Sequence, residues 1–105
     1  MTRIDINQIV LSSTAARIVV HRSDRRVNYL IVPTTDVVVW CGVESGVTKT
    51  TGFPCRQTLP FSSTSMGADP TQDIFCISDS SEPSVAVYEE YLTDRELKQG
   101  RVYDI

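Results

Sequence analysis

Nucleophilic catalysis needs a base beside the nucleophile, and the 105-residue chain contains one histidine, His21. It sits on an expected strand with Arg22, Arg25 and Arg26 close behind it, and no second group is placed to make it a catalytic base. His21 therefore reads as a solvated surface residue. Glu89 and Glu90 are adjacent on an expected strand, where successive side chains point to opposite faces, so they cannot flank one scissile bond. No phosphate-binding glycine loop, HExxH pattern or DxDxDG calcium loop occurs in the sequence. These residues imply a protein that is not an enzyme and needs no cofactor.

Three cysteines, Cys41, Cys55 and Cys76, are an odd number at wide spacing, and one histidine cannot complete a zinc site with them. They read as buried free thiols acting as small hydrophobes, with no metal. Arg22, Arg25 and Arg26 stand together at an expected turn. Their guanidinium groups could grip carboxylate or phosphate in bidentate pairs, or simply be solvated there. Trp40 offers either a stacking face for a glycan or a large core residue, and its place in the apolar run VVVWCGV favours the core.

The elements that must position these residues have a period of two, because β-branched and aromatic residues alternate with polar ones in short runs divided by turn chemistry. Strands are expected over residues 4–11, 15–21, 26–32, 37–43, 73–78 and 84–91. Ser23-Asp24 reads as a hairpin between the second and third. Residues 37–41 are apolar on both faces, as in a central strand covered on its outer side by another sheet or a neighbouring subunit. Residues 44–52 read as a turn with a short edge strand, and 57–72 as a long loop. Thr93-Asp94-Arg95-Glu96 is a capping box and Gly100 a helix stop, so a short helix is expected, followed by an edge strand RVYDI.

The fold expected is an all-β antiparallel sandwich, jelly-roll or Ig-like, with a short C-terminal helix and tail. Its division is a sandwich domain over 1–92 and a docking tail over 93–105. A chain with 41% hydrophobic and 22% charged residues is in the globular range, and its size leaves room for one domain with a thin core. The net charge of −3 gives no global positive field, so direct nucleic-acid binding is not expected. No run approaches the roughly 20 apolar residues that cross a bilayer, so neither is a membrane. The ends differ in charge: residues 1–30 carry a balance of +3 and residues 82–105 a balance of −3. That asymmetry, the doubly apolar run 37–41 and a tail too short to fold alone point to a homo-oligomer. Tyr103 and Ile105 would anchor the tail on a sheet edge of a neighbour, with Arg101 beside them. The expected interface residues are thus Arg22, Arg25, Arg26, Arg101, Tyr103 and Ile105.

The landmarks in order are the basic strand 17–20, the arginine-led strand 26–32, the valine and aromatic strand 37–42, and the Val-Thr turn 47–48. They continue with the Gly-Phe-Pro loop 52–54, the strand DIFCIS over 73–78 and the strand 85–91 ending Glu-Glu-Tyr. This sequence of features resembles a group of small β-sandwich virion proteins of tailed bacteriophages over roughly residues 9–92. It departs from that pattern at Pro33, where an asparagine-led turn is common, at Cys55, where an aliphatic residue is common, and in the tail. The resemblance implies a virion structural protein, made in the host cytoplasm, that decorates the capsid or belongs to the head-neck region. Its partners would be a major capsid, portal or neck, or tail protein. Two other readings stand beside it: a tail or host-glycan-binding module using Trp40, Tyr88 and Tyr91, and an assembly chaperone absent from the finished particle.

Overall fold

The structure is a computed structural model that describes residues 2–63, 69–79 and 81–92. The described elements are eight strands: β1 (Thr2–Val10), β2 (Arg17–Val20), β3 (Arg26–Pro33), β4 (Val39–Gly42), β5 (Phe53–Cys55), β6 (Phe61–Ser62), β7 (Ile74–Ile77) and β8 (Ser84–Leu92). They form two four-stranded antiparallel sheets, ordered β1-β8-β3-β6 and β2-β7-β4-β5. The pairs β1 with β8, β2 with β7, β3 with β6 and β4 with β5 are nested about the middle of the chain, as in one long hairpin folded over twice. The helix and edge strand expected over 93–105 lie outside the described residues.

Alternation fixes which residues meet between the sheets. Tyr29 and Ile31 of β3, Val85 and Val87 of β8 and Phe61 of β6 are buried with Val20, Val39, Cys41, Cys55, Ile74 and Cys76 of the other sheet in one cluster. Phe61 contacts the rings of both Tyr29 and Phe53, at centroid distances of 6.1 and 5.6 Å. The Cys55 thiol donates to the carbonyl of Ile31 across the layers at 3.3 Å. All three cysteines are buried and free.

Four expectations are corrected. Ser23-Asp24 is not a hairpin, since β2 and β3 belong to different sheets. Two-residue hairpin loops favour residues at positive φ such as Asn-Gly. Here a turn closed by Arg26 N–H on the Ser23 carbonyl carries the chain to the opposite layer. The stretch 44–52 forms turns with no edge strand, because its threonines bond their own backbone: Thr50 and Thr51 N–H donate to Thr48 Oγ1, and Thr48 N–H to Thr51 Oγ1. The edge strand is β5, directly after it. The loop 57–72 contains β6, which pairs with β3.

Trp40, expected in the core, lies half-buried on the outer face of its sheet, in one row with Ile77 and Pro54. What covers the outer side of β4 is this chain's own loop. A Cβ at Gly52 would stand 2.7 Å from Trp40 Cβ and 2.9 Å from Val47 Cγ2, and Lys49 Nζ lies 5.7 Å from the centre of the indole.

Candidate functional site

β1 places Ile4, Ile6, Gln8 and Val10 on one face, opposite Glu90, Tyr88, Ala86 and Ser84 of β8. The next strand continues these rows with Asn28, Leu30 and Val32 of β3. The core takes the other face, so these apolar side chains point to solvent. Ile4, Ile6 and Val10 are 63%, 61% and 59% exposed and Tyr88 38%, whereas Ile31 and Val87 on the inner face are sealed. Ile4, Leu30 and Tyr88, with Asn28 and Glu90 at one end, line a shallow groove on this face. The large exposed apolar side chains of β1 and β8 thus share a single sheet face.

Among the described residues the same strand is an open edge. Leu11 N–H donates to the Pro83 carbonyl of the β8 side at 2.9 Å, so the odd-numbered residues of β1 turn their main-chain groups toward β8. Those of Thr2, Ile4, Ile6, Gln8 and Val10 face outward. Arg17 Nη1 donates to the Val10 carbonyl at 3.0 Å. The two charges of β1, both on its inner side, answer each other: Arg3 Nε is 3.5 Å from Asp5 Oδ1, and the Arg3 guanidinium also lies 4.9 Å over the Tyr91 ring.

The three expected arginines have three different surroundings. Arg22 is exposed, 3.8 Å from Asp24, and its N–H donates to Asp73 Oδ1. Arg25 is exposed, and its carbonyl accepts from Leu92 N–H. Arg26 is buried, which removes it from any surface patch. Its Nε donates to the Pro70 carbonyl at 2.7 Å, Nη2 to the Gln72 carbonyl at 2.6 Å, and Nη1 to the His21 carbonyl and to Glu89 Oε1 at 3.3 Å. A fork with five donors suits several carbonyls at once, which the single ammonium of lysine would not match. Arg101, Tyr103 and Ile105 lie outside the described residues.

Beside this guanidinium, Tyr29 is 2% exposed and its hydroxyl has no hydrogen-bond partner among the described residues. Burial pushes its pKa up to about 12, while Arg26 pulls the other way. Burial likewise raises Tyr91. The three aromatic residues of the glycan reading do not converge. Trp40 is on the outer face of one sheet, Tyr88 on the outer face of the other, and Tyr91 on its inner side, opposite Arg3 and Arg26.

Sequence reasoning missed the patch of Ile4, Ile6, Val10 and Tyr88. The alternation of Ile4 and Ile6 was the available signal, but alternation alone does not say which face meets the core. No family model, curated protein or solved structure matches the chain.

Proposed function

We propose that the chain is a jelly-roll β-sandwich serving as a non-enzymatic structural protein of a bacteriophage virion, where it self-associates and binds a larger particle protein. The nested strand pairing supports a jelly roll over an Ig-like arrangement, since jelly rolls are built by folding one long antiparallel ribbon into two sheets. That architecture is used by viral capsid domains, and also by lectins and cupins, so architecture alone selects no activity. The observation that carries the reading is the apolar outer face of β1, β8 and β3. Burying Ile4, Ile6, Val10 and Tyr88 against a neighbour would stabilise an assembly by roughly 25 cal/mol per Å² of apolar surface removed from water.

Quantitative mass spectrometry of purified virions tests this. A virion component is present at a fixed copy number per particle. Its absence from particles, with presence in the infected-cell lysate bound to an assembly intermediate, identifies an assembly chaperone instead.

A further inference from the structure

We propose that β1 pairs edge to edge with β1 of a second copy, antiparallel about a two-fold axis through Ile6, to give one eight-stranded sheet. The inference rests on the homo-oligomer reading above and names the surface that makes the contact.

Among the described residues each sheet has two edge strands, and three of the four are poor templates. β6 has two residues, β5 has three and contains Pro54, and β2 has four and is broken by a register shift between Ile18 and Val20. Shortness, proline, bulges and inward-pointing charges are the usual means of blunting an edge. β1 is nine residues long, in unbroken register with β8 and without proline, and the two charges on its inner side, Arg3 and Asp5, lie 3.5 Å apart and answer each other within the strand. The main-chain groups of Thr2, Ile4, Ile6 and Gln8 face outward with the exposed isoleucines beside them.

Direction and register follow from the strand itself. A two-fold axis makes the pairing antiparallel, and hydrogen bonding requires outward-facing residues to oppose one another, so even-numbered residues must pair with even. Centring on Ile6 overlaps the whole strand: Ile6 opposes Ile6, Ile4 opposes Gln8, and Thr2 opposes Val10, whose carbonyl would use its second lone pair because Arg17 Nη1 takes the first. On the inner side Asp5 then opposes Asn7, and Arg3 opposes Ile9. A register shifted to set Ile4 against Ile6 brings Asp5 opposite Asp5, and like charges directly opposite are destabilising. The opposite shift, setting Ile4 against Val10, leaves Thr2 unpaired and places Ile6 against Gln8. The centred register joins the row Leu30–Tyr88–Ile6 of one copy to the same row of the other, so the apolar face runs unbroken across the pair.

The full chain, with Ile6→Lys and Ile6→Pro variants, is examined by sedimentation velocity and circular dichroism. Lysine sets two ammonium groups together at the axis. Proline deletes an outward N–H and leaves the β8 ladder intact, the position at which an edge strand tolerates it. Asn7→Pro, which removes an N–H directed at β8, serves as the contrast and lowers the melting temperature. The expected result is a wild-type dimer, at least a tenfold weaker association in both Ile6 variants, and an unchanged β spectrum.

Nitroxide labels on Ile6→Cys and on Val10→Cys test the register in near-native chains, whether or not the Ile6 variants fold. Labels at 6 lie within about 15 Å of each other, and labels at 10 about 27 Å apart, eight residues at about 3.4 Å each. A dimer that survives in folded Ile6→Lys, or labels at 6 no closer than those at 10, overturns the pairing and leaves self-association standing. Loss of the dimer in a chain cut after Leu92 also overturns it, by assigning the contact to residues 93–105. A wild-type monomer at every concentration overturns the pairing, while the virion reading is decided separately by the particle mass spectrum.

Discussion

Arg26 and Glu89 face each other on the inner side of the β1-β8-β3-β6 sheet, Nη1 to Oε1 at 3.3 Å, with the arginine side chain wholly buried and the glutamate side chain 12% exposed. The pair is one arm of a larger knot, because the same guanidinium also binds the carbonyls of His21, Pro70 and Gln72. These come from the β2–β3 corner and the 69–73 segment, so one side chain ties two connections to β3 and β8. Arg26→Met leaves three carbonyls and a carboxylate without their donor. Removing one partner of a buried ion pair costs about 3 to 5 kcal/mol. Urea unfolding measures it, and Arg26→Lys is expected to recover less than half, since one ammonium cannot reach acceptors arranged around a fork. A loss below 1 kcal/mol in Arg26→Met would show that the knot does not hold the corner.

Tyr29 gives a pH dependence whose sign is fixed. Its pKa is pushed from the ordinary 10.0 up to about 12 by burial, so the folded state keeps the phenol proton where the unfolded state has released it. The contribution is therefore complete below pH 10 and is lost as pH climbs from 10 to 12. Tyr29→Phe removes this alkaline slope. It also removes a buried hydroxyl without a hydrogen-bond partner among the described residues, so its stability at pH 7 is expected to equal or exceed that of the parent. Thermal melts of both proteins from pH 7 to 11 provide the comparison, and a Tyr29→Phe variant less stable at pH 7 by more than 1 kcal/mol would mean that the hydroxyl is bonded after all.

The cysteines give a chemical readout of the core. Burial raises Cys41 well above an ordinary thiol, and Cys55 is raised by its hydrogen bond with Cys41 and by burial. Alkylation requires the thiolate. In iodoacetamide at pH 8 the native protein is expected to gain no adduct by intact mass within an hour, and the urea-unfolded protein three. Adducts forming at the native stage faster than global unfolding would place a thiol outside the packed layer.

Much of this architecture was legible because period-two alternation is local. The strands read at 26–32, 73–78 and 84–91 correspond to β3, β7 and β8 within a few residues. What could not be read depends on contacts distant in sequence. Arg22, Arg25 and Arg26 are alike in a basic turn, and the one that is buried is selected by carbonyls 44 and 46 residues away. The outward facing of Ile4 and Ile6 is set by the register of β1 on β8, which no pattern within β1 contains. Trp40 was misplaced for a similar reason. In an apolar run both faces look internal, and only the path of residues 44–52 shows that a loop covers one of them.

That loop yields the last prediction. Trp40 is half-buried, so Trp40→Ala is expected to cost about 2 kcal/mol, below the 3 to 5 kcal/mol of a fully enclosed large aromatic. Gly52 is the tighter constraint. A Cβ there would meet Trp40 Cβ at 2.7 Å, Val47 Cγ2 at 2.9 Å and the Thr48 carbonyl at 3.0 Å. Gly52→Ala must therefore push the loop off β4, and overpacking of this kind costs about 1 to 3 kcal/mol. The nearest clash is with a Cβ that alanine at position 40 retains, so the Trp40→Ala, Gly52→Ala double variant should not regain stability over Trp40→Ala. Chemical denaturation of the four proteins closes the cycle. If the double variant recovers the whole cost of Gly52→Ala, the indole ring makes the contact, and the loop lies differently on the strand from the arrangement described.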